Sequence, residues 1–367
     1  MRVAVVHDWL AEIGGAEKVT RELIELFDAD VFALVDFLSP EDRNFVLHGK
    51  HARTSFIQQM PFARKRFRWY LPFFPVAIER LDLRGFDLIV SSSYAVAKGV
   101  RKQPGQKHVC YIHTPMRFAW VDEDGYFQDH GVQGIKARLL RWVMKRLRHW
   151  DKASSETVDR FIANSENVAS RVRKFYGRDA AVLLPPVDPE VFSLHEGPRS
   201  GYLVAARLVP YKRIDRIIEA FNQLPELRLT IAGDGPDLGR LRSMAGPTIS
   251  FAGHLQQPDL VVAMQRSSAL VCAANEDLGL TVMEAQACGT PVIALKAGGY
   301  LETVDELHGS RFFPDTEPLS IREAVLRHET AKPDLAPLRL RHTMSPFFRD
   351  QFRERFQTLV LQVMNHA

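Results

Sequence analysis

Short apolar runs closed by glycine, proline, asparagine or aspartate alternate along this chain with longer stretches whose apolar positions recur every three or four residues. The first pattern is that of a strand buried on both faces, the second that of a helix laid over it. Strands are predicted over 2–6, 31–37, 88–92, 108–112, 160–164 and 181–187, then over 202–206, 227–232, 268–273 and 291–295. Helices are predicted over 18–27, 136–152, 214–223, 280–288 and 346–364. Such alternation makes the expected fold class α/β with parallel sheets. A polar run bearing glycine and proline at 193–200 interrupts it, which puts a linker at 186–199. The expected division is a first domain over 1–190, a second over 191–345 and a terminal helix over 346–367.

Two segments depart from plain strand and helix patterning. Between 61 and 78 bases and aromatics interleave, with Arg64, Arg66, Arg68 and Trp69 leading into Leu71-Pro72-Phe73-Phe74-Pro75. Such a stretch suits anionic lipid headgroups, RNA, or a solvated loop with ordinary packing. The 136–152 helix carries Leu139, Leu140, Val143, Met144, Leu147 and Trp150 on one face and Arg138, Arg141, Lys145, Arg148 and Lys152 on the other. A basic amphipathic helix seeks a membrane surface, and a helix covering a sheet shows the same stripe.

With 367 residues the chain suits two domains of about 180 each. Hydrophobic residues at 46% and charged ones at 25% are those of a globular protein. Cys110, Cys272 and Cys288 are isolated in apolar runs, which argues against disulfides or a zinc site and for a reducing cytoplasm. The start, Met1-Arg2-Val3-Ala4-Val5-Val6-His7-Asp8, turns polar too soon for a signal peptide, and no run approaches the roughly 18 apolar residues of a membrane span. Net charge is +4, yet 51–152 holds 19 Lys and Arg against 8 Asp and Glu. One lobe is therefore basic.

The densest candidate chemistry lies between 268 and 302. A strand there runs into Asn275-Glu276-Asp277-Leu278-Gly279, a helix opens near Gly279, and a second strand leads to Gly298-Gly299. In a β-α-β unit ligands bind beyond the strand ends, and the free amides opening the helix, at Gly279 and Leu280, suit a phosphate. Glu276 and Glu284 lie eight positions apart at different depths. Carboxylates repel phosphate, so these two would face hydroxyl-bearing parts, or else would merely solvate the helix end. Arg207 and Lys212, at a strand end opening a helix, can grip a diphosphate. Gly14-Gly15 follows the first strand without forming the dinucleotide fingerprint, and admits a close backbone approach or a tight turn. His113 ends the 108–112 strand, where a lone histidine is more often structural.

The run from Glu276 to Ala294 resembles the E-x7-E signature of the family 4 retaining glycosyltransferases. Arg207-Leu208-Val209-Pro210-Tyr211-Lys212 matches the same family's R-L-x-x-x-K pattern and, more narrowly, Cys110 to Trp120 and the Glu276 run are similar to the mannosyltransferase branch that assembles O-antigen and exopolysaccharide repeats. The resemblance implies the GT-B architecture, two Rossmann-like domains facing across a cleft, with the last helix packing back on the first. It implies transfer of mannose from GDP-mannose to a polyprenyl-diphosphate-linked oligosaccharide. Glu276 would then orient sugar hydroxyls, His113 would contact the transferred sugar, and Arg207 and Lys212 would hold the departing diphosphate. Donor binding would fall to Gly14, Gly15, Gly235, Leu278, Gly279, Leu280 and Glu284, the last on the ribose. Asp8, Arg64, Arg66, Arg68, Trp69, Arg141 and Lys145 would meet the acceptor or a membrane. No metal or other cofactor and no nucleic acid partner are expected, and the place would be the inner face of the cytoplasmic membrane.

Three positions depart from the family pattern: Leu278 stands for Phe, Val282-Met283 for Pro-Val, and Arg213 where Gly is frequent. Three other readings share these residues. A UDP-sugar donor or a GT-B nucleotide-sugar epimerase would keep the fold, whereas a nucleic-acid-binding protein would use the basic 51–152 region and bind with a steep salt dependence.

Overall fold

A computed structural model describes residues 1–121, 134–195, 197–331 and 337–365, the side chains of 135–137 excepted. The chain divides into two units, residues 1–184 with 353–367, and residues 185–352.

The first unit is built on seven parallel strands: β1 (Val3–His7), β2 (Asp30–Ala33), β3 (Arg53–Thr54), β4 (Leu88–Ser93), β5 (Lys107–Ile112), β6 (Arg160–Ala163) and β7 (Ala180–Val182). Their order is β3-β2-β1-β4-β5-β6-β7. Every residue of β1 is buried, as a central parallel strand covered on both faces requires. The chain reverses its lateral progress between β1 and β4, whose registered pairs run from Val3 opposite Leu88 to His7 opposite Ser92. In open parallel sheets ligands bind beyond the carboxyl ends of strands at such a switch. The predicted 31–37 strand is shorter than expected, because the chain beyond Ala33 leaves the ladder and keeps only an isolated bridge from Leu10 to Asp36.

Helix α1 (Gly15–Phe27) starts at Gly14, whose amide donates to Glu17 three residues on, half of a capping box. The long helix α2 (Gly134–Ser155) buries Val143, Met144 and Leu147 and exposes Arg138, Arg141 and Lys145. Leu139, expected on the inward face, is 64% exposed, since the apolar stripe starts one turn later. Lys136, also part of that pattern, has a side chain outside the described residues. Within 61–78 the alternatives divide by residue: Phe67, Leu71, Phe74, Ala77 and Ile78 enter the core while Arg64, Arg66, Arg68 and Trp69 stay exposed.

The last helix, α3 (Arg349–Asn365), gives its residues from 353 onward to the first unit. There Phe356 packs against Phe27 and Tyr111, with ring centroids 6.0 and 6.3 Å away, and Arg353 Nε donates to Glu22 at 2.8 Å.

The second unit has six parallel strands, β8 (Tyr202–Ala205), β9 (Leu229–Ala232), β10 (Ile249–Gly253), β11 (Ala269–Cys272), β12 (Val292–Leu295) and β13 (Arg311–Phe313). Their order, β10-β9-β8-β11-β12-β13, puts the switch between β8 and β11. Among the described residues no helix is long and apolar enough to cross a membrane.

Candidate functional site

The loop after β11 sits at the switch of the second sheet and carries Glu276. Its shape depends on two glycines beneath it. Gly298 has φ +58°, and a Cβ there would lie 2.3 Å from the Glu276 carbonyl oxygen. A Cβ on Gly299 would lie 2.3 Å from the Leu278 Cα, and the Gly299 amide donates to the Glu276 carbonyl at 2.9 Å. Any side chain in this pair would lift the Glu276 loop off its seat. Leu278 is buried and its carbonyl accepts from Thr303 Oγ1 at 3.2 Å. The chain then enters a helix over Leu280–Ala287 whose first two amides, at Leu280 and Thr281, have no intrahelical acceptor, the Val282 amide donating back to the Gly279 carbonyl at 3.0 Å. Glu284, on the second turn, is buried at 4% exposure.

Across the switch, β8 leads to Arg207 and Lys212. Arg207 is exposed and its guanidinium makes no hydrogen bond or ion pair among the described residues. Lys212 forms an ion pair with Glu276, both largely buried. Burial works against the lysine's charge, and the Glu276 carboxylate outweighs it, holding the pKa above the usual lysine range. The two catalytic candidates proposed for different parts of a donor thus begin as partners. Gly235 lies in the neighbouring turn, which is zipped to the Arg207 loop by the Leu208 amide donating to Asp234 O at 2.8 Å and the Asp237 amide to Leu208 O at 3.1 Å.

In the first unit Gly14 and Gly15 are exposed beside the switch of their own sheet. His113, just past β5, is partly buried, with Nε2 at 2.9 Å from Ser92 Oγ. Burial, helped by the nearby His7, pushes its pKa down to about 3, so the imidazole is neutral. Asp8 is not an acceptor or membrane contact. It is fully buried, and its two carboxylate oxygens take the amides of Tyr94, Ala95, Val96 and Ala97 at 2.5 to 3.0 Å. Those bonds hold the turn after β4, and they use the acceptor capacity a sugar hydroxyl would need.

Arg64, Arg66, Arg68, Trp69, Arg141 and Lys145 are all exposed. Arg66 lies 4.1 Å from the Trp69 ring centroid. A hollow of about 1090 Å³ is lined by Pro72, Pro75, Trp142, Lys145, Arg146 and Lys152 among others.

The sequence reading passed over a polar cluster of His7, Glu17, Thr20 and Ser92, all buried. Two signals pointed there: a histidine ending a wholly apolar strand, and a glutamate three residues after a helix-capping glycine. A second omission is the buried ion pair of Lys98 with Asp151, whose carboxylate also accepts from Trp120 Nε1 and Tyr176 Oη at 2.7 Å each.

Residues 13–191 match the family model described as Glycosyltransferase Family 4, and residues 193–340 the model described as Glycosyl transferases group 1. Each half of the chain is thus similar to a glycosyltransferase domain. A D-inositol 3-phosphate glycosyltransferase of Streptomyces bingchenggensis is 34% identical over 44% of this chain and 43% of its own length. One from Mycobacterium leprae is 31% identical over 39% and 40%. The matches thus span less than half the length of these curated relatives. Among solved structures, Anabaena HepE in complex with UDP and glucose has a TM-score of 0.73 at 15% identity, covering 97% of this chain and 98% of that one. Sucrose-phosphate synthase from Thermosynechococcus elongatus has a TM-score of 0.76 at 17% identity, with both chains fully covered. The two domains, each a Rossmann-like parallel α/β sheet, therefore have the GT-B fold.

Proposed function

We propose that this protein is a retaining glycosyltransferase that moves mannose from GDP-mannose to a polyprenyl-diphosphate-linked oligosaccharide during assembly of a bacterial surface polysaccharide, O-antigen or exopolysaccharide. The observation that carries the reading is the convergence, at the β8/β11 switch, of Arg207, Lys212, a helix N-terminus and the cradled Glu276 loop. Departure of a nucleoside diphosphate builds negative charge on phosphate and positive charge on the sugar. Arg207, Lys212 and the amides at Gly279 and Leu280 would meet the first as preorganised electrostatics. Glu276 would order sugar hydroxyls, Glu284 the ribose, and His113 a hydroxyl of the transferred sugar. Because these cations neutralise the diphosphate, the reading needs no metal. The leaving phosphate itself would help take the acceptor proton on the face it vacates, so no carboxylate need become covalently bound.

For the acceptor, the support is the exposed set Arg64, Arg66, Arg68, Trp69, Arg141 and Lys145 with the basic-rimmed hollow beside Trp142. Cations at phosphate depth with indoles at the interface suit an anionic leaflet, and peripheral binding at the inner membrane face follows. A UDP-sugar donor is the second reading, favoured by the UDP and glucose bound to the HepE structure, which shares the fold.

Calorimetric titration with GDP-mannose, GDP, UDP-glucose and UDP decides between them. Guanine-selective binding, weakened about tenfold or more in Glu284→Ala, is the expected result, since a lost charged hydrogen bond costs about 1.5–3 kcal/mol. Uracil selectivity would transfer the reading to the UDP-sugar donor. Binding to neither would overturn it.

A further inference from the structure

Hydrogen bonds lead inward from the exposed glycine loop to His113, through side chains with no part in the reading above. The Gly14 amide donates to Glu17 Oε2 at 2.7 Å. Glu17 Oε1 lies 3.0 Å from His7 Nε2. On the other side of that ring, His7 Nδ1 is 3.1 Å from the Ser92 carbonyl oxygen and 3.0 Å from Thr20 Oγ1. Thr20 Oγ1 is 2.8 Å from Ser92 Oγ and 2.9 Å from the Ala16 carbonyl oxygen, both acceptors for its hydrogen, and Ser92 Oγ is 2.9 Å from His113 Nε2. His7, Thr20 and Ser92 are fully buried and Glu17 nearly so.

The protons along this path follow from what each partner can do. A carbonyl only accepts, so His7 Nδ1 carries hydrogen. A carboxylate only accepts, so Nε2 carries hydrogen too, and His7 is an imidazolium paired with Glu17. Burial opposes this charge while the Glu17 carboxylate favours it, and the balance lies above the usual histidine pKa. Thr20 has one hydrogen for two acceptors, Ser92 Oγ and the Ala16 carbonyl; with that hydrogen on Ser92 Oγ, the shorter contact, and a protonated His7 nitrogen facing the same oxygen, the Ser92 proton goes to His113 Nε2. His113 therefore carries its hydrogen on Nδ1, an atom that makes no hydrogen bond among the described residues.

We propose that Glu17, His7 and Ser92 are positioning residues, which fix His113 as a neutral imidazole offering Nδ1–H to a hydroxyl of the transferred sugar and tie that donor to the Gly14 loop. The inference rests on the glycosyltransferase reading for the sugar, but not for the hydrogen bonds. Its physical logic is charge control. A sugar passing through an oxocarbenium-like state is repelled by an imidazolium and helped by a neutral donor. The positive charge is instead kept one ring away, on His7, where Glu17 cancels it. Other groups facing this pair are Asp8, already held by amides, and Tyr94, whose ring lies edge-on to His7 at 5.6 Å and to His113 at 6.2 Å. The Tyr111 ring, 5.2 Å from His113, closes the other side. Arg68 is the cation acting on Tyr94.

Imidazole nitrogen NMR of the full chain tests the arrangement, because tautomer and charge each have their own ¹⁵N shifts. The expected wild-type spectrum shows His113 as neutral Nδ1–H throughout the range of about pH 5 to 8 in which free histidine titrates. Ser92→Ala should move His113 to the Nε2–H form that free imidazole prefers. Glu17→Gln should let His7 lose its proton, and His113 should then take one up at higher pH than in the wild type. In transfer assays Ser92→Ala should lower kcat about tenfold and change KM for the donor by less than about twofold, the signature of a contact felt in the transition state. A serine that only filled space would alter stability and leave tautomer and kcat alone. An Nε2–H tautomer, or a charged His113, in the wild-type protein overturns the proposal without any variant having to fold. An Nδ1–H wild type that transfers no sugar would overturn the sugar-donor role and leave the hydrogen-bond assignment standing.

Discussion

Arg213 occupies φ +52°, a left-handed conformation that costs a residue with a Cβ about 1–2 kcal/mol and glycine almost nothing. It caps the turn bearing Lys212 and opens the helix over Ile214–Phe221. Its compensation is one ion pair with Asp215 at 3.4 Å, partly exposed and worth little. Arg213→Gly should therefore stabilise the second unit by up to about 1 kcal/mol, part of the relief being offset by the greater freedom of unfolded glycine. Chemical denaturation of the two proteins measures this, and a loss of stability would mean that the Asp215 pair outweighs the backbone. The same residue shows what a sequence can disclose. That glycine is frequent here was readable as a family departure, but the positive φ that explains it was not. Glu276, Arg207 and Lys212 were likewise legible as charges at strand ends. Their pairing was not, because 64 residues separate Lys212 from Glu276 and no local pattern records such a contact.

Among the elements, β5 carries a histidine unlike His113. His108 Nε2 bonds Ser91 Oγ at 2.8 Å, while its buried Nδ1 has no partner among the described residues. Burial brings its pKa down to about 3. Between that value and the unfolded pKa of about 6.5 the unfolded chain binds more protons. Stability is thus unaffected above about pH 6.5 and falls as the pH drops toward 3, by about 1.4 kcal/mol per pH unit for each such histidine. His113 adds to this in the same window. His7 has the opposite sign, its contribution being present below the unfolded pKa and lost as pH rises through the raised folded one. In His108→Gln the decline of melting temperature from about pH 6.5 to 4 should be shallower than in the wild type, and an unchanged slope would assign the acid sensitivity elsewhere. Strands such as β1, β11 and β12 were legible because a strand covered on both faces leaves an unbroken apolar run. The 61–78 segment was not, since its short helical turns bury Phe67 and Phe74 and expose Arg68 and Trp69 without a fixed period. The inward partners of Asp8 and Lys98 were equally hidden, the first in four backbone amides and the second in α2, 53 residues on.

For the molecule as a whole, the order of elements in the chain differs from their membership in units. Residues 353–367 complete the unit that begins at residue 1. Phe356, fully buried between Phe27 and Tyr111, anchors that return. Phe356→Ala should cost about 3–5 kcal/mol, the range for emptying a buried phenylalanine site. Denaturation followed separately in the two units, by hydrogen exchange, should show protection lost in β1, β4 and β5 and kept in β8 to β13. Equal loss in both would mean that the chain unfolds as one cooperative body.

Synthesis gives the divided first unit a timetable. The seven-stranded sheet emerges first, but the helix that covers Tyr111 and Phe27 is translated only after the entire second unit. At roughly 5–20 residues per second that interval is on the order of ten to thirty seconds. During it the nascent sheet presents to solvent the apolar strip that Phe356 later covers. A polypeptide released early, before Arg353, keeps the strip uncovered for good, so the finished first unit also certifies that the ribosome passed the whole of the second.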